Sequence, residues 1–228
     1  MFDWQPVLLS FKISAIALVF VVVIGTLIAY LVVRGPFRFP GKDLIETLVT
    51  LPLVLPPVVT GFTLLLLFGR QGPLGRLLNN VFHTQIVFTP CAAVVAALVV
   101  SLPLMYQSAK AAFQTVDRHL EDVARTLKAS ETKVFLTITL PLAWPGLLSG
   151  IILSFSRALG EFGATAMVAG NIPGKTQTIP VAIFFASESN DLRTAGFYVL
   201  IISAVTFIMV FGVNYWSRRK MQRLNGRG

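Results

Sequence analysis

The sequence predicts an all-α, polytopic membrane protein with five transmembrane helices, and three observations predict it. Five windows, Ile13–Val33, Thr47–Phe68, Ile86–Ala109, Val134–Ser156 and Thr194–Ser217, run 21 to 24 residues without Asp, Glu, Lys or Arg. About 20 helical residues cross a bilayer core, and a helix satisfies its own backbone there. Of the 228 residues, 55% are apolar and only 13% are charged, against about a quarter charged in soluble domains. The basic residues are also sorted by side. With five crossings, one set of loops holds Arg34, Arg38, Lys42, Lys110, Arg118, Arg125, Lys128, Lys133, Arg218, Arg219, Lys220, Arg223 and Arg227, and the other holds Arg70, Arg76, Lys175 and Arg193. The positive-inside rule then places the N-terminus outside and the C-terminus in the cytoplasm. A sixth crossing would spoil that asymmetry. The net charge of +9 is answered by anionic membrane lipid and calls for no nucleic acid.

Each element follows in order. The start, Met1-Phe2-Asp3-Trp4-Gln5, lacks a basic n-region, so the first helix is expected to be a retained signal anchor. Arg34–Lys42, with two glycines and two prolines, reads as a tight cytoplasmic turn. Pro52, Pro56 and Pro57 interrupt the second window. Each removes a backbone donor, giving either a packing kink or a flexible helix lining a pathway. Ala92, Ala93, Ala96 and Ala97 in the third window, and Gly146 and Gly150 in the fourth, have the small-residue spacing of close helix contacts. Cys91 is the single cysteine, which excludes an intrachain disulfide and a cysteine metal cluster; it reads as a small buried hydrophobe. Between Gly160 and Arg193 lie two uncharged runs, Phe162–Gly174 and Thr176–Ser187. Both are too short to span and suit re-entrant, partly buried pieces. No change of composition divides residues 1–228 into more than one domain.

Covalent chemistry finds no support. His83 and His119 fall in loops on opposite faces, and there is no Walker loop, Rossmann glycine pattern or His-Glu-x-x-His helix. No catalytic residue and no metal ligand is expected. Arg157 and Glu161 are four apart, so on a continuing helix they share a face and pair. Ionisable groups near the membrane mark a pathway or a structural ion pair. With Phe162, Gly163 and the three prolines they are the pathway or gate candidates.

Charges concentrate in residues 117–135. On a helix Leu120, Val123, Ala124 and Leu127 make one apolar stripe, and Glu121, Asp122, Arg125 and Lys128 are expected to point mostly away from it. Ser130 is an expected N-cap for the helix entering the fourth span. This short amphipathic helix either lies on lipid or docks into a groove of a cytoplasmic partner.

The stretch resembles the "EAA" loop of ABC-importer permeases: an acidic residue, two small residues, a glycine three further on, and Ile-x-Leu-Pro ten after it. Here these positions are Asp122, Val123, Ala124, Lys128, Ile138, Leu140 and Pro141. Valine replaces an alanine, and lysine, which does not favour a left-handed turn, replaces the glycine. The bend is therefore expected at Ala129-Ser130. "LPLVLPPVVTGF", "ARTLKAS", "TITLPLAWPGLLSG", "RALGEFGAT" and "NIPGKTQTIPVAI" are similar to the molybdate branch of type I ABC importer permeases, and sulfate and thiosulfate permeases share the "GEFGA" segment. The resemblance implies a permease of a bacterial or archaeal cytoplasmic membrane. It implies a homodimer forming the oxyanion path, above a cytoplasmic ATPase dimer and below an extracytoplasmic oxyanion-binding protein. ATP and Mg would be held by the ATPase, and this chain would bind no cofactor and catalyse no reaction.

Overall fold

The computed structural model describes residues 3–35 and 41–225. Most of the Arg34–Lys42 turn therefore lies outside the described residues, as do Met1 and Phe2. In order come α1 (Gln5–Arg34), α2 (Lys42–Val54), α3 (Pro57–Phe68), α4 (Pro73–Phe82), α5 (Pro90–Gln114), α6 (Arg118–Thr126) and α7 (Glu131–Val134). A π-helical turn (Phe135–Thr139) leads into α8 (Leu140–Leu159), followed by α9 (Gly163–Val168), α10 (Ile179–Glu188) and α11 (Leu192–Asn225).

Four helical stretches are long and apolar enough to cross a bilayer: Gln5–Arg34, Pro90–Gln114, Glu131–Leu159 and Leu192–Gly212. The fifth expected span is a bent pair, with α2 and α3 meeting at 119°. The double proline explains the break. Leu55 and Pro56 each precede a proline, which excludes helical geometry, and both are extended, with ψ of 142° and 136°. Pro57 then starts α3 at a position where its missing N–H costs nothing. Pro52, by contrast, stays inside α2.

The centre of the fold is α5 packed between α1 and α8. Ala17, Val21 and Ala29 of α1 are fully covered, as are Ala93, Ala96, Met105 and Phe113 of α5. Small residues set the approach of α8. A Cβ on Gly146 would stand 2.6 Å from Ala112 Cβ, and one on Gly150 2.7 Å from Ser108 Cβ. The spacing read from the sequence is thus a packing device. Cys91 departs from expectation: it is exposed at the start of α5, because the first turn of that helix stands clear of the buried face that begins at Ala92.

The Gly160–Arg193 region folds back as expected of half-crossing pieces. The short α9 buries Gly163, Ala164, Thr165 and Val168, and α10 packs by Ile179 and Ala182 against Val7 and Tyr198. The Ile179 amide donates to Ser10 Oγ at 2.7 Å, tying α10 to α1.

A candidate coupling loop and outer gate

Two groups of sequence-selected residues come together, one at each end of the bundle. The first is the charged loop. Asp117 caps α6, its carboxylate accepting from the His119 amide at 2.9 Å. The far end of α6 closes on Lys128, whose φ is +62°. The Lys128 amide donates to Arg125 O at 2.9 Å and the Ala129 amide to Ala124 O at 3.1 Å. That is the bond pair of a Schellman cap with its left-handed residue at Lys128. The bend expected at Ala129-Ser130 thus sits at the motif's glycine position itself, because the hydrogen-bond pattern demands left-handed geometry there. Ser130 does cap α7, with the Lys133 amide donating to its Oγ at 3.4 Å.

Arg125 binds α6 to α7. Its Nε and Nη2 donate to the two Glu131 carboxylate oxygens at 2.8 and 3.0 Å, and Nη1 donates to Asp122 Oδ1 at 2.7 Å. The Glu131 and then the Asp122 hydrogen bonds raise the guanidinium's pKa above its ordinary value. All three side chains are largely open to water, so the pairs hold geometry more than they add stability.

Glu121 overturns the solvent-facing expectation. It is only 2% exposed, 3.1 Å from Arg34 Nε, and its Oε1 accepts from Thr139 Oγ1 at 2.8 Å. Leu120, Val123 and Leu127 instead face outward, Leu127 with 79% of its surface open. The helix is turned so that its acid points into the bundle and its apolar stripe points away. The reason lies at the end of α1: a buried guanidinium there needs an anion. Asp122 and Lys128 are exposed, and Ala124 and Ala129 are half-buried. Ile138 lies in the π-helical turn, and Leu140 and Pro141 open α8. Pro141 has no N–H for the Thr137 carbonyl, which accounts for a widened turn just before it.

The second group is at the opposite end. Arg157 Nη1 lies 2.7 Å from Glu161 Oε2, yet not on a continuing helix: α8 stops at Leu159 and Gly160 caps it. Glu161, 3% exposed, also accepts from the Ala164 amide at 2.7 Å through Oε1, so it caps α9 while neutralising Arg157. A Cβ on Gly163 would stand 2.9 Å from Pro57 Cβ, and one on Gly61 2.6 Å from Ala164 Cα. The start of α3 is thereby held against α9. Phe162 meets the Phe184 ring of α10 at 4.9 Å. Pro57, Gly163, Glu161 and Arg157 thus form one cluster. Pro56 stands exposed at the bend, and Pro52 lies a turn away, half-buried in α2.

Sequence reasoning missed three features. Arg34 was read only as a topology signal. The contact between Glu46 of α2 and both Tyr106 and Lys110 of α5 was unseen, although Lys110 and Tyr106 share a helix face at i, i+4. Helix α4 had a visible signal: Pro73 after Gly72, then Leu74, Leu77, Leu78 and Val81 at helical spacing. Among the described residues no group of three or more His, Cys, Asp and Glu side chains could hold a metal ion.

An all-helical bundle with a proline-broken second span, a re-entrant outer segment and an amphipathic loop helix defines the class of a membrane transport permease. Residues 21–223 match the family described as "binding-protein-dependent transport system inner membrane component", and the chain belongs to it. It is 42% identical over 225 residues to the molybdenum transport system permease protein ModB of Escherichia coli (strain K12), covering 99% of this chain and 97% of the relative. It is 35% identical over 191 residues to a "probable sulfate transport system permease protein" of Chlorokybus atmophyticus, covering 84% of this chain and 66% of that one. A crystal structure of a bacterial ABC transporter that imports alginate shares the fold at a TM-score of 0.74 and 15% identity, over 94% of this chain and 78% of that one.

Proposed function

We propose that this chain is the membrane-spanning subunit of an ATP-driven importer of molybdate. The observation that carries the substrate is the 42% identity, over nearly its whole length, to a molybdenum permease; the sulfate relative is more distant and covers less of the chain. Two copies would enclose the path. An ATPase dimer, holding ATP and Mg, would bind on the cytoplasmic side, and an oxyanion-binding protein would deliver the anion from outside. The N-terminus lies outside and the C-terminus in the cytoplasm, as the charge asymmetry requires.

Residues 117–135 are the coupling loop in this reading. The outward apolar stripe of α6 supports it, since a helix offering Leu120, Val123 and Leu127 to water suits an apolar groove on a partner. Asp122, Arg125 and Lys128 would rim that contact. The Pro57–Gly163 contact with the Arg157–Glu161 pair behind it is the outer gate, and the bend at Leu55–Pro56 is its hinge. Nucleotide-driven closure of the ATPases biases a two-state pore, each ligand favouring one state. This chain itself hydrolyses nothing.

Elemental uptake tests the reading. Cells with and without the chain are compared for molybdenum and sulfur at trace molybdate and limiting sulfate. Loss of molybdenum alone is expected. Loss of sulfur alone would move the substrate to sulfate or thiosulfate, and no loss of either would end the oxyanion assignment.

A further inference from the structure

A push on α6 has an evident covalent route into the membrane, through α7 and the π-helical turn to α8. The structure holds a second route that does not follow the chain. The last residue of α1, Arg34, has a side chain only 6% exposed. Its Nη2 donates to the carbonyls of Phe113 and Val116 at 3.0 and 2.6 Å, the closing carbonyls of α5. Such carbonyls lack helical partners and form the negative end of the helix dipole, which favours a cation. The Nε edge of the same guanidinium lies 3.1 Å from Glu121 Oε1, and that oxygen also accepts from Thr139 Oγ1. Arg118 adds a further tie, donating from Nη2 to Val33 O at 2.8 Å. One buried ion pair therefore joins the ends of α1 and α5, the helix α6 and the π-helical turn before α8.

We propose that the Arg34–Glu121 pair is a transmission staple, with Arg34 the positioning residue that makes α6 move as one body with α1, α5 and α8. The proposal rests on the importer reading for the source of the push. Buried ion pairs add little net stability over apolar replacements of the same volume, and their best-attested use is to fix register. The staple spans residues 87 positions apart in the chain and engages α5, which the covalent route from α6 to α8 never touches. A planar, forked cation suits the task, because it meets two carbonyls and a carboxylate at once. A lysine ammonium is a point charge and lacks that reach.

The test uses the complete transporter with its ATPase in lipid. Spin labels are placed at Val23→Cys on α1 and Thr126→Cys on α6, both exposed, in a Cys91→Ser background. In the otherwise unaltered protein the distance distribution is narrow and the same without nucleotide and with ATP bound. The paired variant Arg34→Met/Glu121→Met removes both buried charges together, so assembly is retained. Its distribution broadens, and the ATP hydrolysed per molybdate imported rises roughly tenfold, within the usual range of coupling between sites. A narrow distribution with an unchanged ratio in the paired variant overturns the staple. If that variant fails to assemble, Arg34→Lys, which keeps the charge and loses the fork, is read by the same two quantities and decides. A labelled transporter that carries no molybdate yet holds its distance, and loses it in the variant, sinks the molybdate reading and leaves the staple standing. A parent distance that changes with nucleotide, in a transporter that does import molybdate, does the reverse.

Discussion

Lys128→Gly is expected to stabilise the loop that joins the amphipathic helix to the membrane. Lys128 holds φ +62°, and an L-residue in left-handed geometry costs about 1–2 kcal/mol because its Cβ crowds the following carbonyl. Glycine removes that cost and gives back about 0.5–1 kcal/mol as extra freedom in the open state. The Lys128 side chain is exposed, so little contact is lost with it. The net gain is about 0.7 kcal/mol, or roughly threefold in an opening equilibrium. Amide exchange reads this directly, since local opening governs the protection of each amide. The Ala129 amide, bonded to Ala124 O across the cap, should exchange about threefold more slowly in Lys128→Gly. In Lys128→Val it should exchange faster, because a β-branched residue is a true outlier at positive φ. An Ala129 amide that exchanges at the parent rate or faster in Lys128→Gly would refute the strain argument.

Other outcomes follow from the same contacts. Gly61→Val drives a side chain into the α9 backbone, where even a Cβ would stand 2.6 Å from Ala164 Cα; overpacking of this kind costs about 1–3 kcal/mol and should lower the thermal unfolding midpoint of the purified protein. Glu161→Ala strips Arg157 and the Ala164 amide of their partner. Breaking a buried pair costs about 3–5 kcal/mol, and the partial exposure of Arg157 brings this to about 2 kcal/mol, which Arg157→Met/Glu161→Met should largely restore in the same melt. Asp191 sits before α11 and accepts from the Thr194 amide at 3.1 Å; hydrogen bonds from the Thr194 side chain and then its amide hold the carboxyl below its usual range. Its contribution is complete above the ordinary Asp pKa and is lost as pH falls through the lower folded value. Exchange at the start of α11, corrected for its intrinsic pH dependence, should rise in that acid window in the parent and not in Asp191→Asn. Leu127→Asp should leave the melt of the chain alone unchanged while cutting recovery of the ATPase with it, and unchanged recovery would remove α6 from the docking surface.

The membrane class and the broken second span were legible because they rest on local rules: uncharged length for the one, Leu55-Pro56-Pro57 for the other. The cap at Ser130 was equally local. The orientation of α6 was not, because amphipathic reasoning assigns every charge to water. Glu121 obeys a different rule, set by Arg34 at the end of another helix, and no periodicity within α6 carries that information. The bend at Lys128 escaped for a related reason. Residue preference argued against a left-handed lysine, whereas two backbone hydrogen bonds closing the helix outweigh a penalty of about 1–2 kcal/mol. At the outer end, the pairing of Arg157 with Glu161 was visible from spacing, but not that Gly160 ends the helix between them and frees Glu161 to start the next.

The outward stripe of α6 also bears on the life of the chain before it is assembled. In the proposed orientation Leu120, Val123 and Leu127 meet the cytosol as soon as the fourth span is inserted, and nothing within the chain folds over them. A copy that finds no ATPase thus carries a visible mark of being surplus, of the kind that chaperones hold and proteases remove. The surface that would couple the pore to its motor would then also set how many pores a cell keeps.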